Sequence, residues 1–127
     1  MKKILIVDDD PDIRDVLMTI LEGKYELREA GSREEGTKAA KEMTPDLVIL
    51  DVMMERHDSG FEMAREVKSN EQLKDTKILM LTSVDTEMKM DFKKAAGDPD
   101  WLPVDDYVVK PVDPKDFIPK VEKLIGI

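Results

Sequence analysis

Apolar residues along the chain follow two alternating spacings. Short continuous runs, typical of strands buried in a sheet, predict strands at about 4–7, 25–30, 46–51, 77–82 and 106–109. Apolar residues at helical spacing between and after them predict helices at about 11–22, 33–44, 61–69, 86–96 and 114–125. Five strands alternating with five helices predict an α/β fold, a three-layer sandwich with a parallel sheet and right-handed crossovers.

Three of the predicted helices begin with recognisable capping residues. Asp10 and Asp113 each precede a proline, which combines an N-cap carboxylate with a residue suited to the first helical turn. Ser32, followed three residues later by Glu35, matches a capping box. Pro119 lies inside the last predicted helix and removes one backbone donor, so we expect a late start or a slight kink there.

Polar residues follow the apolar runs at the carboxyl ends of four predicted strands. They are three carboxylates, two hydroxyls and one lysine: Asp8, Asp9, Asp51, Thr82, Ser83 and Lys110. In a parallel sheet these ends meet at one edge, where ligands bind at the topological switch point. Clustered carboxylates repel one another, and one stays protonated unless a cation binds. An oxygen-rich site of this kind favours Mg²⁺.

An acid cluster with a hydroxyl and a lysine provides the groups that phosphoryl transfer needs. A carboxylate can accept the phosphoryl group as a nucleophile. A bound Mg²⁺ and a lysine neutralise charge on the phosphoryl oxygens, and a hydroxyl donates a hydrogen bond to one of them. The sequence therefore predicts a phosphoryl-transfer site at this edge of the sheet.

Composition narrows the class of protein further. A chain of 127 residues fits one domain with one core, and the absence of cysteine excludes disulfides, thiolate zinc sites and cysteine nucleophiles. The formal net charge of −9 argues against a nucleic-acid partner, which would require clustered Lys and Arg. No apolar run approaches the roughly 20 residues of a membrane-spanning helix. These features predict a soluble cytoplasmic protein with no membrane or nucleic-acid partner.

The sequence resembles the receiver domains of two-component response regulators over essentially its whole length, residues 1–127. The matching pieces are Ile4–Asp9, Pro45–Asp51, Gly60–Glu62, Ile78–Ser83 and Asp106–Pro111. The resemblance implies a flavodoxin-like sheet with strand order 2-1-3-4-5. It also implies a signalling module that catalyses only its own phosphorylation and dephosphorylation.

The resemblance assigns roles to the residues at the strand ends. It implies that Asp51 accepts a phosphoryl group from a sensor histidine kinase or a phosphotransfer protein. Asp9 and Asp51 would bind Mg²⁺ together with the backbone carbonyl of Met53, and Asp8 would contribute through water. Thr82 would donate a hydrogen bond to the phosphoryl group, and Lys110 would pair with it.

The resemblance also implies how the signal leaves the domain. Tyr107 matches the aromatic residue whose ring moves when Thr82 shifts. The output surface would comprise the fourth helix, the fifth strand and the fifth helix, and it would contact an unidentified downstream protein. This chain departs from the usual pattern by one extra residue between Met53 and Gly60 and by an insertion at Gly97–Pro103. Because Ile127 closely follows the last helix, we expect a stand-alone receiver.

Two other functions are compatible with parts of the pattern. A small Mg²⁺-dependent phosphatase with an aspartyl nucleophile would use Asp8 and Asp10 as an Asp-x-Asp motif, with the second carboxylate acting as acid and base. A degenerate receiver that never accepts phosphate is the other alternative, and the complete set of site residues argues against it.

The apolar residues Met53 and Val84 predict slow loss of the phosphoryl group. They stand two positions after Asp51 and Thr82, beside the path of the hydrolytic water, and an apolar side chain excludes water there. We expect the phosphorylated protein to decay over many minutes or longer, which is measured by following the label on isolated protein. A half-life of seconds that no substitution at Met53 or Val84 lengthens would contradict this prediction.

Overall fold

The computed structural model describes residues 2–51, 59–82 and 104–126, and of residues 59–62 it describes the backbone alone. The strands are β1 (Lys3–Val7), β2 (Glu26–Ala30), β3 (Leu47–Asp51), β4 (Lys77–Thr82) and β5 (Asp106–Val109). The helices are α1 (Pro11–Leu21), α2 (Arg33–Met43), α3 (Ser59–Ser69) and a last helix, Pro114–Ile125.

The five strands form one parallel sheet in the order β2-β1-β3-β4-β5. This order confirms the predicted flavodoxin-like arrangement. Strand β1 lies between β2 and β3, so the carboxyl ends of β1 and β3 are neighbours at the switch point. The topology therefore brings the residues that follow Val7 next to the residue that ends β3.

The sheet separates two apolar layers, as a three-layer sandwich requires. Alternate strand residues face opposite sides because the side-chain period of a strand is two. On the side of α2 and α3, the strands contribute Leu5, Val7, Val48, Leu50, Ile78 and Met80. On the side of α1 and the last helix, they contribute Ile4, Ile6, Leu47, Ile49, Leu79 and Leu81. The central strands are thus buried on both faces, which explains their continuous apolar runs.

The predicted capping residues occupy the expected positions, with one change of partner. Asp10 and Asp113 accept hydrogen bonds from backbone amides in the first turns of their helices, and Ser32 accepts one from the amide of Glu35. The Glu35 carboxylate accepts from the amide of Gly31, one residue before the cap, instead of from Ser32. The second hydrogen bond of the capping box, the one to the Glu35 carboxylate, therefore comes from the residue before the N-cap.

The structure differs from the prediction at one helix start and decides one of the two expectations for Pro119. The α3 helix begins at Ser59, two residues before the predicted start at Phe61. The last helix begins at Pro114 and contains Pro119, so a late start is wrong, and the slight kink stays a prediction. Proline at that position removes one donor near the start of the helix, and the Asp113 cap is sufficient to begin the helix ahead of it. In the described part of the chain, every helix is too short or too polar to cross a membrane.

The start of β5 is fixed to β4 by a polar contact set around Asp105. The Asp105 amide donates to the carbonyl oxygen of Ile78 at 2.9 Å, and the Ile78 amide donates back to Asp105 Oδ2 at 2.8 Å. Lys68 Nζ in α3 donates to Asp105 Oδ2 and to the Thr76 carbonyl oxygen, each at 2.9 Å. Residue 105 is therefore held from two directions before the strand begins.

Several predictions concern residues outside the described ranges. They include the backbone carbonyl of Met53 as a metal ligand, the strand-end hydroxyl of Ser83, the water-excluding role of Val84, the predicted helix at 86–96 and the insertion at Gly97–Pro103. The helix at 86–96 is the fourth of the five predicted helices, and the other four lie in the described ranges. These statements stay predictions.

Replacing Gly36 with alanine should destabilise the fold even though alanine favours helices. A Cβ at Gly36 in α2 would lie 2.9 Å from Val7 Cγ1 in β1 and 3.1 Å from Met63 Cε in α3. The gain in helix propensity is about 1 kcal/mol, and overpacking a rigid valine costs about 1–3 kcal/mol. We expect urea denaturation to show a free energy of unfolding lowered by up to about 2 kcal/mol, the cost less the gain.

Two further variants test the cause of that loss. Lys38→Ala on the exposed side of the same helix should change the free energy of unfolding by less than about 0.5 kcal/mol. Combining Gly36→Ala with Val7→Ala should cost less than the sum of the two single changes, because the smaller side chain relieves the clash. A Gly36→Ala variant at least as stable as the parent would refute the packing argument.

Candidate functional site

Three carboxylates meet at the carboxyl ends of β1 and β3. Asp8 and Asp9 directly follow β1, and Asp51 is the last residue of β3. Each of the three offers one oxygen, and these oxygens all lie within 4.8 Å of one another. Asp8 is 0% exposed and Asp51 is 4% exposed, whereas Asp9 is open to solvent. The site is therefore a buried acidic floor with one exposed carboxylate at its rim.

Lys110 brings a positive charge to this floor from the far edge of the sheet. Its Nζ lies 3.2 Å from Asp8 Oδ2 and 3.3 Å from Asp51 Oδ2. Lys110 directly follows β5, and β4 separates β5 from β3, so the side chain reaches across one strand end. Its backbone amide donates to the carbonyl oxygen of Thr82 at 2.6 Å, which fixes where the side chain begins.

Thr82 and Tyr107 lie on the two strands between the acidic floor and the edge of the sheet. Thr82 ends β4, is 1% exposed, and is paired in register with Val109 of β5. Tyr107 pairs with Met80 of β4, and its half-buried side chain packs on the α2 and α3 side of the core. Both residues therefore lie where the sequence analysis placed them relative to the sheet.

The surroundings of Asp8 disfavour its charged form. The pKa of Asp8 is raised to about 6, chiefly by burial and also by the nearby charge of Asp51, while a hydrogen bond from the Asp10 amide and the charge of Lys110 oppose the rise. That amide donates to Asp8 Oδ1 at 2.9 Å. The other oxygen, Oδ2, is buried and receives no well-directed hydrogen bond from the described residues, although Lys110 Nζ lies at ion-pair distance.

The pKa of Lys110 changes in the opposite sense from what burial alone would give. Burial favours the neutral amine and lowers the pKa, but the charges of Asp51 and Asp8 outweigh this effect and raise it. Lys110 is therefore held as an ammonium ion. In the described part of the chain, one positive charge faces three carboxylates at this site, so their combined charge is negative.

The residues at this site fit a divalent cation with oxygen ligands. Asp8 Oδ2 is a buried carboxylate oxygen whose partner among the described residues is the Lys110 ammonium at 3.2 Å, which leaves it able to accept a further positive ligand. Two more carboxylates lie within ligand distance of one another around it. Hard divalent cations such as Mg²⁺ and Ca²⁺ take oxygen ligands of this type. Asp8, Asp9 and Asp51 could together hold such an ion.

The fold and the acidic site agree with a match to a known protein family. The model of the response regulator receiver domain matches residues 4–122. The chain belongs to the response regulator receiver family. Its five-stranded parallel sheet, in the order β2-β1-β3-β4-β5, is therefore that of a receiver domain of a two-component system.

Curated relatives extend well beyond the receiver domain. The chain is 36% identical over 125 residues to the alkaline phosphatase synthesis transcriptional regulatory protein PhoP of Bacillus subtilis, covering 98% of this chain and 48% of that protein. It is 32% identical over 128 residues to the DNA-binding dual master transcriptional regulator RpaA of Synechocystis, covering 98% of this chain and 49% of that protein. The chain spans about half the length of these relatives.

Solved structures match the chain over almost its full length. The chemotaxis response regulator CheY4 of Vibrio cholerae is 31% identical, with a TM-score of 0.81 and 98% of each chain covered. A CheY-like response regulator receiver domain protein from Methanospirillum hungatei is 27% identical, with a TM-score of 0.79, 99% of this chain and 94% of that chain covered. The flavodoxin-like fold of the receiver is thus shared with these structures.

The structure brings together most of the residues singled out in the sequence, and it adds contacts that the sequence did not indicate. The prediction gave Asp9 a direct role in metal binding and Asp8 a water-mediated one, and this assignment stays a prediction. The structure adds that Asp8 is buried and Asp9 is exposed. The pairing of Lys110 with the phosphoryl group stays a prediction, and the structure adds contacts of Lys110 with Asp8 and Asp51. No local sequence signal distinguishes two adjacent aspartates by burial.

Replacing Asp8 with asparagine should stabilise the metal-free protein at neutral pH. The pKa of Asp8 in the folded state, about 6, is above its ordinary value of 3.8, so the folded state binds more protons between these values. Stability therefore falls as the pH rises through this window, and ionised Asp8 destabilises the fold above it. Asparagine keeps an oxygen for the Asp10 amide and removes the charge. We expect urea denaturation in EDTA at neutral pH to show a gain of about 1–3 kcal/mol.

The control for this prediction is Asp12→Asn, which removes one exposed carboxylate from α1 and should change stability by less than about 0.5 kcal/mol. Mg²⁺ should stabilise the parent protein more than the Asp8→Asn variant, because the variant lacks one of the clustered carboxylates. An Asp8→Asn variant that is no more stable than the parent in EDTA would show that the buried charge is already compensated.

Proposed function

We propose that this receiver accepts a phosphoryl group on Asp51 from a sensor histidine kinase or a phosphotransfer protein, with Mg²⁺ bound by Asp8, Asp9 and Asp51. The observation that carries the proposal is the position of Asp51. It is a nearly buried carboxylate on a central strand, within 3.3 Å of the Lys110 ammonium and beside two further carboxylates. These are the groups that a phosphoacceptor site needs.

Asp51 is the best placed of the three carboxylates to act as the nucleophile. Asp8 holds the Asp10 amide with one oxygen and lies deeper in the floor. Asp9 is exposed to solvent at the rim. Asp51 ends a strand that is buried on both faces, so its backbone is held rigidly. A rigid nucleophile meets the phosphorus of an incoming donor with little loss of conformational entropy.

The transfer forms one bond and breaks one bond. An oxygen of Asp51 forms a bond to phosphorus while the bond between phosphorus and a ring nitrogen of the donor histidine breaks, and the departing imidazole takes up a proton. Mg²⁺ supplies positive charge beside the phosphoryl oxygens. Lys110 Nζ, already between Asp8 and Asp51, can donate to a phosphoryl oxygen. The Thr82 hydroxyl at the end of β4 can donate to another.

The signal would leave the site through β4 and β5. A Thr82 hydroxyl drawn toward the phosphoryl group moves the end of β4, and Tyr107 lies on the neighbouring strand. A shift of the Tyr107 ring would then change the surface formed by the predicted helix at 86–96, β5 and the last helix. We infer that a downstream protein binds this surface.

The names of the curated relatives indicate the kind of protein in which such a receiver occurs. PhoP and RpaA are named as transcriptional regulators, and each is about twice the length of this chain. The residues of this chain carry a net charge of −9, which suits protein partners better than nucleic acid. We place the receiver in the cytoplasm, where kinases that use ATP act.

The alternative of an aspartyl phosphatase loses support from the contacts of Asp10. In that mechanism Asp10 would act as acid and base, but its carboxylate accepts a hydrogen bond from the Asp12 amide as the cap of α1. An exposed capping carboxylate is poorly placed to exchange protons with a substrate at Asp8. The contact of Asp10 therefore favours a signalling module, as receiver domains are, over an aspartyl phosphatase.

Incubation with acetyl phosphate and Mg²⁺ tests the proposal directly. We expect about one phosphoryl group per chain, stable in acid and labile in base, as measured by intact-protein mass spectrometry. Asp51→Asn should abolish the adduct because the amide is not a nucleophile, and EDTA should suppress it. The matched control is Asp75→Asn, which should label normally. Asp75 is exposed and lies near the start of β4, at the opposite end of the strands from Asp51.

Two outcomes would count against the proposal. Labelling that persists in Asp51→Asn would place the acceptor elsewhere in the chain. Sustained hydrolysis of a phosphomonoester by the parent protein, lost on substitution of Asp8, would favour the phosphatase.

A further inference from the structure

Lys120 in the last helix holds the backbone and the ring of Tyr107 at the same time. Its Nζ donates to the Tyr107 carbonyl oxygen at 2.7 Å. The same ammonium lies 5.4 Å from the centroid of the Tyr107 ring, within the range of a cation–π interaction. A single side chain therefore restrains both parts of one residue on β5.

The position of β5 explains how this contact arises. In the described sheet β5 is an edge strand, so the carbonyl of Tyr107 can point away from β4. Lys120 reaches this carbonyl from the last helix, which packs on the other side of the sheet from the Tyr107 ring. The lysine thus links two sides of the sheet around its edge.

Two carboxylates hold the Lys120 ammonium in place. Asp106 Oδ1 lies 3.9 Å from Nζ, and Asp116 Oδ2 lies 3.8 Å from it. The same Asp106 oxygen accepts a hydrogen bond from the Tyr107 amide at 2.8 Å. The Lys120 side chain is 29% exposed, so these contacts are only partly screened by solvent. The amide of Tyr107 therefore contacts Asp106, and its carbonyl and its ring contact Lys120.

We propose that Lys120 is a positioning residue that couples the last helix to phosphorylation of Asp51 by stabilising one position of the Tyr107 ring. The inference rests on the proposed function, since it takes Asp51 as the phosphoacceptor. Lys120 makes none of its contacts with the acidic site. Its influence passes through Tyr107, which pairs with Met80, and through Thr82, which pairs with Val109 and accepts a hydrogen bond from the Lys110 amide.

The direction of the coupling follows from the contact itself. When a phosphoryl group on Asp51 draws Thr82 and displaces the Tyr107 ring, the ring leaves the Lys120 ammonium and the cation–π contact is lost. Lys120 therefore opposes the phosphorylated conformation, and removing its charge favours that conformation. By thermodynamic reciprocity, an acidic group of a partner that draws Lys120 off the ring raises the affinity of the site for a phosphoryl group.

The test measures binding of beryllofluoride, an analogue of the phosphoryl group, to the full chain in Mg²⁺ by isothermal titration calorimetry. Lys120→Gln removes the charge and keeps an N–H donor for the Tyr107 carbonyl. We expect Lys120→Gln to bind beryllofluoride about threefold more tightly than the parent. Lys120→Met should show the same direction. Lys120→Arg, which retains the cation, should bind like the parent.

Two controls separate ring positioning from a general structural role. Lys123→Gln alters an exposed lysine on the same helix and should leave the affinity unchanged. In a Tyr107→Leu background, which removes the aromatic face and leaves the backbone carbonyl, Lys120→Gln should have no further effect on beryllofluoride affinity. Urea denaturation of each variant establishes that the protein titrated is folded.

Three results would overturn the inference while leaving the proposed function intact. They are an unchanged affinity in Lys120→Gln, a weakened affinity in Lys120→Gln, and an effect of equal size in the Tyr107→Leu background. Beryllofluoride binding that survives Asp51→Asn would overturn the proposed function and this inference together.

Discussion

The ammonium of Lys110 faces the carboxylates of Asp8 and Asp51, and this contact connects three strands of the sheet. In a partly desolvated environment each charge interacts more strongly than it would in water. Among the described residues, a single lysine cannot balance both acids and the neighbouring Asp9, so their combined charge is negative. Protonating Asp8 or binding a cation relieves this repulsion. In the proposed function, the bound cation would also favour a phosphoryl group at the same place.

The apolar layers on both sides of the sheet make this arrangement possible. Residues 4–7 and 47–50 are fully buried, and the carboxylates come directly after or at the end of these runs. The charged groups therefore begin from backbone that is held by strand pairing and by packing on two faces. A site held by rigid strands keeps its geometry better than one built on mobile loops. Strand pairing and core packing then hold the acids in place against their mutual repulsion, so the backbone at the strand ends does not move apart.

Sequence reasoning recovered the parts of the structure that are set by local pattern. The strands end where apolar runs meet Asp8, Asp51 and Lys110, and the caps at Asp10 and Asp113 agree with the helix starts. The strand order came from the family resemblance and is confirmed by the sheet.

The sequence did not predict the contacts between side chains of different helices and strands, because these depend on how the elements pack. Asp8 and Asp9 are identical in sequence terms, and only the direction of each side chain at the end of β1 separates a buried acid from an exposed one. The need for glycine at position 36 arises from Val7, twenty-nine positions away in sequence, because β1 and α2 pack closely there. The contact of Lys120 with Tyr107 likewise joins a helix to an edge strand, and no periodic pattern in the sequence predicts it.

The bonds around Asp105 have a consequence for how such domains can diverge. Strand β5 is four residues long, and its placement decides whether the lysine that follows it can reach the acids. Because residue 105 is tied to β4 and α3 before the strand begins, the path of the chain ahead of it does not set that placement. Insertions or deletions in residues 83–103 can then accumulate without moving the Lys110 ammonium away from Asp8 and Asp51.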